Sequence, residues 1–255
     1  MTETTLSDFQ ANLSQRLSLE HIDIQGKGLP EGFKLNSTFK AIIKHLEYAW
    51  RVQAALALVT GAHGAGKSTA IRYFARQQGV LYWECPPKYQ AKHILADLAS
   101  ELGISTGHSF RMQTSVVVAQ LQSDPKLVIL DEAQRMDYDA IDQLKYLADN
   151  SGSTFVMVAS PSLEQRIERW PDISSRCSVK LRVSAISLEE FILLYGVDGF
   201  TTATLKEMHK QTGGIYRKIT SLLKHLGEAI QSTPGMTVGS LTPAHIQFVA
   251  EQVML

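Results

Sequence analysis

Gly61-Ala-His-Gly-Ala-Gly-Lys67-Ser68 constrains this chain more than any other stretch. It fits the spacing G-x-x-x-x-G-K-[ST]. The apolar run Ala55–Thr60 before it reads as a buried strand, and Ser68–Arg76 after it reads as a helix. Strand, glycine turn and helix in that order leave backbone N–H groups facing outward at the positive end of a helix dipole. Glycines let the backbone close on an anion with no Cβ in the way. The anion that this geometry suits is a nucleoside triphosphate such as ATP. Lys67 can reach its β- and γ-phosphates, and Ser68 can ligate Mg²⁺. Gly61, Gly64, Ala65, Gly66 and Thr69 complete the cradle; His63 is a tolerated side chain within it.

A second segment supplies what a cradle alone lacks. Leu127-Val-Ile-Leu-Asp131-Glu132 is an apolar run ending in adjacent carboxylates. Asp131, at the end of a buried strand, is placed to hold Mg²⁺ through water. Side chains alternate along a strand, so Glu132 is expected to point elsewhere. There it could orient and deprotonate an attacking water. Binding and cleavage of the triphosphate are then both provided for.

Composition narrows the class without choosing it. Apolar residues make up 44% and charged residues 20% of 255, which suits a globular chain of one large or two smaller domains. No apolar run is long enough to span a bilayer, and the N-terminus lacks a basic region followed by an apolar core, so no membrane partner and no signal peptide are expected. Cys85 and Cys177 lack metal-type spacing, which predicts idle thiols and a reducing, cytoplasmic setting. Twenty-five basic and twenty-five acidic residues give zero net charge, so no overall basic footprint advertises nucleic acid.

The rest of the chain alternates. Residues 1–35 form an N-terminal extension, with a short amphipathic helix over Leu6–Leu17 and then Gly26, Gly28, Pro30 and Gly32. A helix capped by Asn36 carries Phe39, Ile42, Ile43, Leu46 and Trp50 at helical spacing. Gly79–Glu84 reads as a strand, Ala91–Leu102 as a helix, and a further helix runs to about Gln122. After the Asp131 strand come a helix with Ile141, Leu144 and Leu147, the strand Thr154–Ala159, a helix carrying Leu163, Ile167 and Trp170, and the strand Val179–Val183. Strands alternating with helices predict an α/β fold, a parallel sheet between helices, with ligands at the carboxyl edge of the strands.

From about Ser184 the strands stop. A capping box at Ser187-Leu-Glu-Glu190 opens a helix to Tyr195, followed by helices over Thr202–Gln211 and Ile215–Ile230 and one behind Thr242-Pro243. The expected division is therefore 1–35 extension, 36–185 α/β core and 186–255 helical lid.

A P-loop α/β core followed by a small helical bundle resembles the AAA+ ATPases. The resemblance gives further residues roles. Ser160, at the tip of the strand after the Asp131 strand, resembles the sensor-1 position that places the lytic water; a strand-ending turn is the other reading. Arg176 resembles the arginine finger that reaches a neighbouring subunit's ATP, with Arg166 and Arg169 as competitors. Arg217, in Gly213-Gly-Ile-Tyr-Arg217, resembles sensor 2, through which a lid feels the γ-phosphate. A finger supplied in trans implies assembly into a homo-oligomer, a ring or a helical filament.

Within AAA+ the chain is similar to the transposition-regulator ATPases, the family of the phage Mu B protein, TnsC and TniB. That similarity runs from about residue 36 onward and includes Asp131-Glu132-Ala133-Gln-Arg-Met136, Ser187–Phe191 and Thr212–Arg217. It implies ATP-dependent assembly on duplex DNA without sequence preference and presentation of that DNA to a transposase, with a target-selection protein as a further partner. DNA contacts are then expected from two polar loops, one bearing Lys88 and Lys92 with Tyr89 nearby, the other Thr106, His108, Ser109 and Arg111. Phosphate contacts need only cations, hydroxyls and N–H groups. The family tends to be more basic than this neutral chain. A helicase-loader or initiator-like ATPase, and a signalling or secretion ATPase independent of DNA, stand as alternatives.

Overall fold

The structure is a computed structural model that describes residues 33–253 apart from 78, 106 and 108. The Leu6–Leu17 helix, the glycine and proline tract behind it, Thr106 and His108 fall outside the described residues. The described residues from Lys34 onward form one compact unit.

Elements follow the chain as α1 (Ser37–Arg51), β1 (Leu56–Gly61), α2 (Lys67–Phe74), β2 (Val80–Glu84), α3 (Ala91–Glu101), α4 (Phe110–Ser123), β3 (Leu127–Asp131), α5 (Tyr138–Ser151), β4 (Thr154–Ala159), α6 (Pro161–Ile167), α7 (Pro171–Ser174), β5 (Cys177–Val183), α8 (Leu188–Tyr195), α9 (Thr202–Thr212), α10 (Tyr216–Ser232) and α11 (Pro243–Gln252). All five strands are parallel, in the order β2-β3-β4-β1-β5. β1, β3 and β4 are buried along their whole length. Their continuous apolar runs are what a sheet covered on both faces demands.

One face carries Leu56, Leu58, Val128, Leu130, Phe155 and Met157, packed against apolar residues of α3 through α6. Alternation turns Ala57, Val59, Ile129, Val156 and Val158 to the other face. There α1 and α2 pack together, with the rings of Phe39 and Tyr73 at 5.4 Å. The last four helices have a separate core built on Phe191, Leu205, Met208, Ile219, Leu222 and Ile246. None of the described helices is long and apolar enough to cross a membrane.

Local chemistry accounts for most boundaries. Asn36 accepts from the Phe39 N–H at 2.8 Å and starts α1, and Asp137 accepts from the Ala140 N–H at 2.9 Å and starts α5. Two expectations change. The helix through Trp170 stops at Ile167, because Pro171 cannot continue it and drives Trp170 to φ −117°, ψ 88°; α7 restarts at the proline. The capping box of α8 is only half made. Ser187 Oγ accepts from the Glu190 N–H, but the Glu190 carboxylate accepts from Ser37 Oγ at 2.6 Å instead. The C-terminal helices are thereby tied to the start of α1.

Candidate nucleotide site

Strand order decides which loops meet. β4 lies between β3 and β1, so the carboxyl ends of three neighbouring strands present Asp131, Ser160 and Gly61 in a row. The loop after β1 turns through Gly64 at φ +80° and Gly66 at φ +93°, conformations that suit glycine. Gly66 caps α2 with no side-chain hydrogen bond, which leaves the first-turn N–H groups for an anion.

A cleft of about 240 Å³ opens over this loop. It is lined by His63, Gly64, Gly66, Lys67, Ser68, Thr69, Glu132, Tyr216, Arg217 and Thr220. Three segments distant in sequence thus converge: the loop running into the start of α2, the residue after β3, and the start of α10. Ala65 is buried beneath the loop, and its N–H donates to the Ala62 carbonyl. Gly61 takes no part in the lining. Its carbonyl accepts from Lys67 Nζ at 2.6 Å, and Ala62's accepts at 2.9 Å. A Cβ on Gly61 would meet the Val183 carbonyl at 2.6 Å, so β5 fixes that residue type.

Lys67 is buried. Desolvation pulls its pKa below the usual lysine value; Asp131 and Glu132 oppose that pull, and Arg217 adds to it. The two carboxylates thus offset part of the cost of burying this cation. Asp131 is buried, accepting from the Glu132 N–H at 2.9 Å and from the Tyr82 hydroxyl at 3.4 Å. Arg72 of α2 donates to that hydroxyl at 3.2 Å.

Glu132 departs from the expectation. It is not the next residue of a strand; β3 ends at Asp131 and Glu132 sits at φ +55°, ψ +33°. A left-handed turn, not strand alternation, aims it into the cleft. Its carboxylate accepts from Gln134 Nε2.

Ser160 stands beside this group without lining the cleft. Its N–H donates to Gln134 Oε1 at 3.2 Å, and its hydroxyl pairs with Ser162 at 2.7 Å. Arg217 is joined to the loop through its backbone, whose N–H donates to the Gly64 carbonyl at 3.0 Å. Arg166 is committed within this chain, donating to the Gln134 and Met136 carbonyls at 2.9 and 2.5 Å and lying over the Trp170 ring. Arg169 is exposed. Arg176 is exposed and paired with Asp149 at 3.1 Å; its carbonyl accepts from the Leu56 N–H, at the strand end opposite the cleft.

Of the cations expected on the two polar loops, Lys88 lies in a loop, whereas Lys92 and Arg111 fall in the first turns of α3 and α4; all three are exposed. Lys88 sits at φ +58°. Tyr89 is no surface residue. It is buried, bridges to Met136, accepts from Trp83 Nε1 at 2.8 Å and donates to Asp97. Buried Tyr89 therefore anchors the loop whose tip is Lys88. Sequence reasoning missed Tyr216, Thr220 and Gln134. The first two were detectable, since residues four apart share a helix face; Gln134 had no such signal.

The donor set fits magnesium. Ser68 and Asp131 offer hard oxygen ligands, and Mg²⁺ is held by one or two carboxylates together with substrate phosphates more than by a protein cage. Among the described residues no group of three or more His, Cys, Asp or Glu side chains could hold a metal by itself.

Comparison with known proteins follows the same lines. Residues 51–167 match the AAA domain family. Fold and site together are those of a P-loop α/β core with a AAA-domain match over that segment. The chain is 27% identical over 166 residues to the Mu-like prophage FluMu DNA transposition protein B of Haemophilus influenzae (strain ATCC 51907 / DSM 11121 / KW20 / Rd). That match takes in 64% of this chain and 58% of the relative, so it spans less than two thirds of the relative's length. With the AAA domain it carries the resemblance to the AAA+ transposition regulators. In solved structures, the ORC2 protein of Aeropyrum pernix, in ADPNP-ADP complexes, superposes with a TM-score of 0.60 at 17% identity, covering 87% of this chain and 70% of that one. The ORC1 protein of the same organism, in complex with DNA, gives 0.54 at 17%, covering 82% and 64%. At such identities the likeness carries the fold.

Proposed function

We propose that this chain is an ATPase that assembles on duplex DNA without sequence preference and presents that DNA to a transposase. The conjunction that carries the reading is a cleft in which Lys67, Ser68, Glu132 and Arg217 converge, in a chain related to a DNA transposition protein. In this reading residues 36–185 are the ATPase core and residues 186–255 the lid.

The loop N–H groups of Gly64, Gly66 and Lys67 receive the phosphates. Lys67 exchanges its two carbonyl partners for β- and γ-phosphate oxygens. Ser68 and Asp131 would hold Mg²⁺, which would supply neutralisation of charge gathering on the phosphate oxygens. Glu132 orients the attacking water and takes its proton. Arg217, already joined to the loop by its backbone, carries the state of the γ-phosphate to the lid. Arg176 serves a neighbouring copy's ATP, and Ser160 helps order the water.

DNA contacts fall to Lys88, Lys92 and Arg111, with Thr106 and a target-selection protein as further elements of the same proposal. Three exposed cations per copy bind weakly, but an assembly repeats them along the duplex. A cytoplasmic setting follows from such partners.

ATP turnover measured with and without duplex DNA, together with electron microscopy of protein, DNA and a slowly hydrolysed ATP analogue, tests the reading. Stimulated turnover and ordered assemblies on DNA are expected. Turnover indifferent to DNA, with no assembly, would favour an ATPase of another purpose. No affinity for adenine nucleotides in calorimetry would remove the reading altogether.

A further inference from the structure

Gln134 uses both ends of its side-chain amide. Nε2 donates to Glu132 Oε2, and Oε1 accepts from the Ser160 N–H at 3.2 Å. The partners fix which end is which, because a backbone N–H can only donate and a carboxylate can only accept. The residue thus spans from the end of β3 to the tip of β4.

Its own position is braced. The Gln134 and Met136 carbonyls both accept from Arg166, whose guanidinium lies 5.3 Å from the centre of the Trp170 ring. Gln134 belongs to the short 3₁₀ turn Ala133–Arg135, so the brace holds the turn itself.

Glu132 needs such a hold. It occupies a left-handed backbone conformation that a residue with a Cβ rarely adopts. Arg135 stands 4.0 Å from the same Oε2, but its guanidinium is engaged by Glu84 at 3.1 Å and by the Cys85 carbonyl at 2.6 Å. Oε1 of Glu132 makes no hydrogen bond among the described residues.

We infer that Gln134 is a positioning residue for Glu132: it pins Oε2, keeps Oε1 for the attacking water, and refers the carboxylate to the tip of β4. This rests on Glu132 being the base of the ATPase reading. Only a side chain with a donor and an acceptor at this reach makes the span. Methionine matches its length and makes neither bond, while the backbone bonds to Arg166 stay.

The test is a double-mutant cycle on the full chain, read by single-turnover ATP hydrolysis and by equilibrium binding of ADP. Gln134→Met is expected to slow hydrolysis about 10- to 100-fold with ADP affinity and melting temperature unchanged. In a Glu132→Gln background the same substitution is expected to cost nothing further. If Glu132→Gln hydrolyses ATP as fast as wild type, the base assignment fails and the inference with it. If Glu132→Gln is slow but Gln134→Met runs at the wild-type rate, the inference alone fails. An equal loss in both backgrounds would also overturn it, since Gln134 would then act by a route other than Glu132.

Discussion

Gly213 and Gly214 are neighbours at the entry to α10, with positive φ of +59° and +68°, yet they should respond very differently to alanine. At Gly213 an added Cβ has nothing within 4 Å. Its cost is the left-handed strain of an L-residue, about 1–2 kcal/mol. A stiffer unfolded chain returns about 0.4–1 kcal/mol of that. At Gly214 the same Cβ lands 2.3 Å from the Ile186 carbonyl oxygen and 3.0 Å from His209 Nε2. That carbonyl is bonded to His209 at 2.9 Å, and the Gly214 carbonyl accepts from the Ile186 N–H at 3.1 Å. Two hydrogen bonds at about 0.5–1.5 kcal/mol each must be lost or distorted. Displacing packed backbone adds about 1–3 kcal/mol. The expected totals are about 1 kcal/mol for Gly213→Ala and about 3–7 kcal/mol for Gly214→Ala. For a chain of this size each kcal/mol lowers the melting temperature by about 2–4 °C. Calorimetry and urea unfolding of the two variants side by side measure the gap. Because Gly214 joins the segment after β5 to the turn that carries Arg217, its variant should also lose nucleotide affinity. Equal stability of the two variants would refute the reasoning.

Three further outcomes follow from the same geometry. Glu132→Gln should retain ATP binding and lose turnover by about 10²- to 10⁴-fold, the range for a general base, as radiolabelled single-turnover assays would read. Replacing Lys88 and Lys92 together by alanine should weaken DNA binding and reduce the slope of log affinity against log salt by about 1.8; an unchanged slope places the contacts elsewhere. Burial lowers the pKa of His45 from 6.5 to about 4, and its Nε2 has no partner. Between those values the unfolded chain binds the proton and the folded chain does not, so stability falls as pH drops from 6.5 toward 4 and levels off below. The loss is at most about 3 kcal/mol. Urea unfolding across that range, with His45→Leu as control, checks it; the same slope in the variant would exclude His45.

The alternation of apolar runs made the α/β layers readable, because strands buried on both faces and amphipathic helices have different periods. Strand order was not readable. A run of βα units predicts a parallel sheet, but nothing local says that β4 is inserted between β3 and β1, and that insertion is what sets Ser160 beside Gln134. Glu132 was singled out as a residue and misread as a geometry, since it sits in a left-handed turn after the strand has ended. Tyr89 looked like a surface aromatic in a polar loop; Trp83, Asp97 and Met136, distributed over three elements, bury it. The break at Trp170, by contrast, was written locally in Pro171.

The two ends of the sheet impose a last constraint. The cleft lies at the carboxyl end of β1, whereas Arg176 is fixed to Leu56 at its amino end. Five residue steps at about 3.3 Å each separate those ends by about 17 Å, with a buried sheet between. An arginine so placed cannot serve the ATP of its own chain. If it serves any, the giving surface and the receiving surface are different faces of the molecule. A twofold dimer could join them only if both lay within one self-complementary patch. Otherwise the contact is head-to-tail, and head-to-tail contacts repeat until they close a ring or run on as a helix. A Glu132→Gln chain mixed with an Arg176→Ala chain is then informative. In mixed assemblies an intact cleft can meet an intact arginine only where an Arg176→Ala subunit receives Arg176 from a Glu132→Gln neighbour. Turnover above the sum of the two separate variants is expected, and strict additivity would show that Arg176 contributes nothing across a contact.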